Sequence, residues 1–504
     1  MRQHALILAA SSANVQRKRK APFRGICWLP LVLEMIMQMN RRRFLNGAGL
    51  SLAGIAIAPK AWAAQSRVVN VTVDADNTLA TMPRDFLGLS YESAQLADPA
   101  FFSASNATLV SAFRKLCPHG VLRLGGNLSD VTRWAGSAAN IIAQEEAAKV
   151  QSFHEWRLVD ATASSKRPAT IGPDGIAALG GFLHATGWKL LYGLNLGTGT
   201  PERAAEEAAL VTKYAGNHLL AFQVGNEADL YGPAFREGAW NFERYWNEYQ
   251  KFLKAVRARV PGAPFAGPDV ATKVDWITQF AERAKGDAVL ISSHYYAMGP
   301  AGAPGIDAQK LLSDDPRLAR EMPVLVSAGK TAGVPYRMTE GNSCYHGGQP
   351  GVSDAFASAL WAADYLLRVA QAGYAGVNLH SGGEGYYAPI TGDANNTKLR
   401  PEYYGMMLAQ EFAGATFTGV SLDAGASDVR AYAARIKDAL LVTMVNKSSG
   451  PVQMRLHGSM TRGMECWKLT GPSLDAKDGI QFARGNGNEG SISGYSAVLW
   501  KIRT

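Results

Sequence analysis

The sequence predicts a (β/α)8 TIM barrel followed by an all-β sandwich module, and three observations carry that prediction. Eight short apolar strand candidates alternate with helical patterns between residues 85 and 400. The first of them is not followed by the glycine-rich phosphate loop that a doubly wound nucleotide-binding sheet would need. Beyond about residue 400 the rhythm changes to short strands parted by Gly, Asp, Asn and Ser, as in a β-sandwich.

The strand candidates are FLGLSYES (86–93), VLRLGGN (121–127), KLLYGLNLG (189–197), LLAFQVGNE (219–227), PFAGPDV (264–270), VLISSHYYA (289–297), YRMTEGNS (336–343) and GVNLHSGG (376–383). Near-continuous apolar runs of this length suit parallel strands buried on both faces. Between them, 201–216 opens on Pro with early acids and closes on Gly, and 241–260 has acids first and arginines last, matching the helix dipole. The aromatic stripe Phe242, Tyr245, Trp246, Tyr249 and Phe252 reads as the buried face of that second helix. The early alternating strand RVVNVTVDAD (67–76) lies outside the barrel and is expected to join the C-terminal module. The expected layout is therefore 1–63 an N-terminal extension with signal, 85–400 the barrel, and 64–84 with 401–504 the sandwich.

Of the 51 basic residues ten lie in 1–63, with one of the 42 acids, leaving 41 of each in the remainder. A neutral body has no bulk field for nucleic acid or a heavily sulfated polyanion. The segment NRRRFLNGAGLSLAGIAIAPKAWAAQ (40–65) has the order of a twin-arginine export signal, with Ala61-Trp62-Ala63 as the cleavage site. Met39, just before the arginines, is the expected start. A periplasmic or secreted protein with no membrane anchor in its mature form follows. It would keep Cys117, Cys344 and Cys466, an odd number without a C-x-x-C, so structural zinc is not expected.

Barrel enzymes place their chemistry at the C-terminal ends of the strands. The fourth strand ends in Asn226-Glu227, the sixth in His294-Tyr295-Tyr296, and the seventh carries Glu340. The second ends in Arg123 and Gly125-Gly126-Asn127, and the eighth in His380, leading to GGEGYY (382–387). Two acids three strands apart across one barrel mouth suit glycosidic-bond chemistry, in which one carboxyl gives a proton and the other attacks the sugar. The Asn226 amide could donate to the sugar 2-hydroxyl. His294, His346 and His380 lack metal-ligand spacing, and no metal or organic cofactor is expected.

With these motifs the chain resembles glycoside hydrolase family 79, the β-glucuronidase and heparanase family. The strings that carry the resemblance are LRLGGN (122–127), QVGNE (223–227), HYY (294–296), Glu340 with Tyr345 and HGG (346–348), and GEGYY (383–387). It implies Glu227 as acid/base, Glu340 as nucleophile, Asn226 on the 2-hydroxyl and Tyr295 near the nucleophile. It also implies a uronate held by Tyr345, Gly347, Gly385 and Tyr386, with Asn127 as a further sugar contact. The implied activity is retaining removal of β-linked glucuronic acid, free or 4-O-methylated, from a polysaccharide or glycoconjugate. The alternatives are an endo-acting heparanase-like enzyme, another retaining barrel glycosidase such as an arabinofuranosidase or xylosidase, and a non-catalytic carbohydrate-binding protein.

Overall fold

The computed structural model describes residues 67–136, 169–381, 385–423, 428–457, 464–485 and 490–503. The export-type segment 40–65 lies outside them. Residues Ala64–Thr504 form one compact unit.

After strand β1 (Arg67–Thr81), eight parallel strands close into a barrel: β2 (Leu87–Glu92), β3 (Val121–Gly125), β4 (Lys189–Leu194), β5 (Leu219–Val224), β6 (Phe265–Val270), β7 (Ala288–Met298), β8 (Tyr336–Cys344) and β9 (Gly376–His380). They pair in chain order, β9 closing on β2. All eight strand candidates are barrel strands. The helices that follow them in turn are α1 (Ala107–Leu116), α2 (Pro173–Thr186), α3 (Pro201–Ala215), α4 (Phe242–Arg259), α5 (Val274–Arg283), α6 (Pro316–Ala332), α7 (Phe356–Gln371) and α8 (Pro401–Gln410).

Local chemistry sets their limits. Thr200 caps α3 by accepting from the Arg203 N–H, with Pro201 in the first turn, where its missing donor costs nothing. Asn241 caps α4 in the same way, and Arg257 and Arg259 sit in its last turn. Phe242, Tyr245, Tyr249 and Phe252 are buried, as a core face should be, and Trp246 is packed against them.

The remaining strands are β10 (Thr416–Leu422), β11 (Val429–Ile436), β12 (Ala439–Asn446), β13 (Val452–His457), β14 (Met464–Thr470), β15 (Gln481–Gly485), β16 (Ser491–Ile492) and β17 (Ser496–Arg503). With β1 they form a nine-stranded sheet in the order β15-β14-β17-β12-β11-β10-β1-β13-β16. β1 pairs antiparallel with β10 and parallel with β13. Val69, Val71, Val452 and Ile492 from one end of the sheet share a core with Cys466, Val442, Val498 and Trp500 from the other, so the sheet curls around its own interior like a sandwich. Its opposite face, with Leu441, Val445 and Leu499, joins the barrel's core. The module also finishes a barrel helix. α7 has no side-chain cap, and its first N–H groups, of Phe356 and Ala357, donate to the carbonyls of Ala476 and Leu474 at 2.8 and 3.0 Å.

Candidate active site

A cleft of about 1020 Å³ opens at the C-terminal ends of the barrel strands and is lined by both Glu227 and Glu340. A carboxylate oxygen of each and a ring nitrogen of His294 all lie within 4.8 Å of one another. The two acids are therefore close enough to act on one bond.

Local backbone geometry delivers Glu227. After β5 the chain turns through Gly225 at φ 82°, where a Cβ would also press on the Tyr231 hydroxyl. Glu227 follows in the left-handed region at φ 50°, and Asp269 at the end of β6 is also left-handed at φ 59°. Such conformations cost roughly 1–3 kcal/mol each and persist only where the surroundings fix them. Here the Glu227 N–H donates to the Asp269 carbonyl at 2.9 Å, locking the two bends together.

Beneath the acids lies a buried ionic hub. Arg123, 1% exposed, donates from Nη1 to Glu340 Oε2 (2.7 Å) and Ser90 Oγ (2.9 Å). Its Nη2 donates to Asp269 Oδ2 (2.5 Å) and Asn226 Oδ1 (2.8 Å), and its Nε to Gln223 Oε1 (3.0 Å). Gln223 Nε2 and the Thr339 hydroxyl both donate to Asp269 Oδ1. This web pairs the buried guanidinium with two carboxylates, the condition under which buried charge is tolerated.

The electrostatics favour an ionised Glu340. Burial alone would raise Glu340, but the His380 and His294 rings, Arg123 and the Tyr296 hydroxyl outweigh it and hold the carboxyl below its ordinary range. Burial would likewise strip His294 of its proton. The charges of Asp269 and Glu340 and hydrogen bonds to Asp269 and Glu227 prevail and push it up to about 10. His294 Nδ1 meets Glu227 Oε1 at 3.0 Å and Nε2 meets Asp269 Oδ2 at 3.2 Å. Both ring nitrogens of His294 are thus engaged by carboxylates. A third cleft carboxyl, Glu92, is pushed up to about 8 by burial and by the Glu340 charge. It accepts from the Leu128 N–H at 2.8 Å, and the bare Gly126 makes room for it, since a Cβ there would run into the carboxyl.

The structure corrects two expected residues. Tyr295 is not beside Glu340; Tyr296 is, donating to Glu340 Oε1 at 2.9 Å. Side chains alternate along β7, so His294 and Tyr296 share the interior face. Tyr295 points outward, stacks on Tyr365 of α7 and donates to Asp315 Oδ2 at 2.8 Å. Tyr386 is 44% exposed and is not among the cleft-lining residues; Tyr387 is buried, lines the cleft and packs against Tyr296 and His380. Tyr345, Gly347, Gly385 and Asn127 do line the cleft. Asn226 lies behind Asn127, its Nδ2 donating to Asn127 Oδ1 at 3.2 Å.

No protein-family model matches the chain. It is 27% identical over 293 residues to a β-glucuronidase of Aspergillus niger, covering 52% of this chain and 54% of that protein. It is 24% identical over 334 residues to heparanase-like protein 3 of Arabidopsis thaliana, covering 59% of each. The chain thus spans little more than half the length of these relatives. Among solved structures, a 4-O-α-L-rhamnosyl-β-D-glucuronidase from Fusarium oxysporum superposes with a TM-score of 0.65 at 18% identity, over 86% of this chain and 99% of that one. A GH51 arabinofuranosidase from Xanthomonas axonopodis gives 0.62 at 16% identity, over 87% and 100%. The structural matches establish a fold shared with barrel glycosidases. The sequence relatives bear out the resemblance to the β-glucuronidase and heparanase group that the motifs suggested.

Proposed function

We propose that the protein is a retaining glycoside hydrolase that removes β-linked glucuronic acid, free or 4-O-methylated, from a saccharide. The carrying observation is the pair Glu227 and Glu340, with carboxylate oxygens within 4.8 Å in one cleft and with Glu340 held in its ionised form. Retaining enzymes hold their carboxyls about 5–5.5 Å apart, whereas inverting ones need about 6.5–9.5 Å to admit a water.

In this reading Glu340, held ionised, attacks the anomeric carbon and forms a glycosyl ester as the bond to the leaving oxygen breaks. Glu227 gives that oxygen its proton. His294 Nδ1 meets Glu227 Oε1 at 3.0 Å and orients that carboxyl. Once the ester has removed the Glu340 charge, Glu227 takes a proton from water, which attacks the same carbon and releases the sugar with its configuration retained. Tyr345, Tyr387 and the backbone N–H groups of Gly347 and Gly385 are the neutral donors for the uronate. Asn127, backed by Asn226, faces the ring hydroxyls. The names of the sequence relatives favour a glucuronide over other glycosides.

The layout 85–400 for the barrel and 64–84 with 401–504 for the sheet module belongs to the same proposal. So does export to the periplasm or medium on the 40–65 signal. Among the described residues no helix is long and apolar enough to cross a membrane.

A panel of p-nitrophenyl β-glycosides tests the function. Rapid release is expected from the glucuronide, with little from the glucoside, xyloside or α-arabinofuranoside. Preferential cleavage of the arabinofuranoside would overturn it.

A further inference from the structure

Tyr345, His346 and Gly347 reach the cleft on the stretch between β8 and α7, which contains neither helix nor strand. His346, Gly347 and Gly348 take φ values of 63°, 85° and 85° in succession. Left-handed residues in a row, one of them not glycine, persist only where the surroundings fix them. Contacts within the barrel supply part of that. The Tyr386 N–H donates to the Gly347 carbonyl at 2.6 Å, and Gly348 lies so close to the same loop that a Cβ would come within 2.7 Å of the Tyr387 nitrogen. The Ser353 hydroxyl accepts from the Gln349 N–H and from the Ser343 hydroxyl, each at 2.9 Å.

The curled sheet holds the far end of the same stretch. Asp354 is buried; its Oδ1 accepts from the Gly351 N–H at 2.6 Å, and its Oδ2 meets Nζ of the half-exposed Lys477 at 2.7 Å. Lys477 belongs to the β14–β15 connection. The same connection supplies the Ala476 and Leu474 carbonyls that satisfy the Phe356 and Ala357 N–H groups. Gly471, at its start, packs on Phe356 so closely that a Cβ would stand 2.7 Å from the ring. One turn of the sheet thus grips Asp354, Phe356 and Ala357, the residues into which the cleft-lining bend runs.

We propose that the β14–β15 connection of the sheet positions the carboxylate-recognition bend of the cleft, and that Asp354 and Lys477 are positioning residues that latch the two together. The inference rests on the glucuronide reading and deepens it. Neutral donors such as the Tyr345 hydroxyl and the Gly347 N–H recognise an anion through distance and angle, and hydrogen bonds weaken steeply when either is lost. A bend that slackens therefore loses the sugar carboxylate before it loses the ring. Asp354 and Lys477 touch no substrate; they act by holding the end of the bend.

Two ligands separate this role from a merely structural one. p-Nitrophenyl β-glucuronide carries the carboxylate, and p-nitrophenyl β-xyloside, used as a competitive inhibitor, is the same molecule without it. In Asp354→Ala, KM for the glucuronide is expected to rise about tenfold, the scale of losing a hydrogen bond to a charged group. Lys477→Ala, at an exposed position, and Asp354→Asn, which keeps an acceptor for Gly351, should each raise it about twofold to fivefold. The double variant Asp354→Asn/Lys477→Ala should be no worse than the larger single effect, since both remove one ion pair. The kcat and the xyloside inhibition constant should stay within about twofold throughout. An equal rise in the xyloside constant, or an unchanged KM in Asp354→Ala and Lys477→Ala, would overturn the latch. A parent enzyme that leaves the glucuronide intact would instead sink the functional reading.

Discussion

The Tyr296 hydroxyl donates to Glu340 Oε1 at 2.9 Å, while its neighbour Tyr295 turns to the other side of the strand and donates to Asp315. Hydrogen bonds to a charged group are worth about 1.5–3 kcal/mol. Tyr296→Phe is therefore expected to lower kcat by about 10- to 100-fold. Tyr295→Phe should leave kcat on an aryl glucuronide nearly unchanged. Steady-state kinetics on the two variants decides between them.

Removing the acids should separate the two half-reactions. Glu340→Gln is expected to lose at least about 10⁴-fold in turnover. Glu227→Ala should form the glycosyl ester from good leaving groups yet hydrolyse it about 10²- to 10⁴-fold more slowly. Added azide should restore turnover in Glu227→Ala and yield the β-glucuronyl azide, identifiable by NMR. The α-azide would contradict retention.

Arg123 is the common partner of Glu340, Asp269, Asn226 and Gln223. Arg123→Gln removes the guanidinium that two buried carboxylates share and leaves them only the His294 charge, and breaking a buried pair typically costs about 3–5 kcal/mol. Denaturant unfolding of the variant should show a loss of that order. A change below about 1 kcal/mol would mean that the hub is dispensable to the fold.

Stability should be greatest in mildly acidic solution. His294, raised from an ordinary 6.5 to about 10, stabilises fully below 6.5, and its contribution is lost as pH climbs toward 10. Glu92, raised from 4.5 to about 8, is favoured protonated by folding, so its contribution also drains away between those values. Glu340 and Asp269 lie below their ordinary 4.5 and 3.8, and their contributions vanish on acidification. The melting temperature should therefore fall on both sides of about pH 4.5–6.5. His294→Gln should flatten the decline between 6.5 and 10, as scanning calorimetry across pH would show.

The barrel was legible because parallel strands covered on both faces read as continuous apolar runs. The strand-end rule then located Glu227 and Glu340. Applied to every strand, it would also have marked Glu92, which ends β2, and Asp269, near the end of β6. The hub was harder to see. Arg123, Gln223 and Thr339 sit within strands, and their convergence depends on closure of the barrel, which no local pattern encodes. The Tyr295 error was one of phase. His294 and Tyr296 are two residues apart and must share a face, so fixing the direction of His294 would have fixed the tyrosine. Tyr386 and Tyr387 posed the same problem in a loop, where no period applies.

β1 is the earliest described strand, yet its partners come far later in the chain: Val71 pairs with Leu422 of β10, and Arg67 with Val452 of β13. A ribosome releases β1 long before anything exists for it to pair with. Its buried valines, Val69 and Val71, find their strand partners only once residues 416–457 have been made. Synthesis halted or clipped short of residue 452 would leave that edge open, a sticky seam that invites aggregation rather than a smaller folded protein.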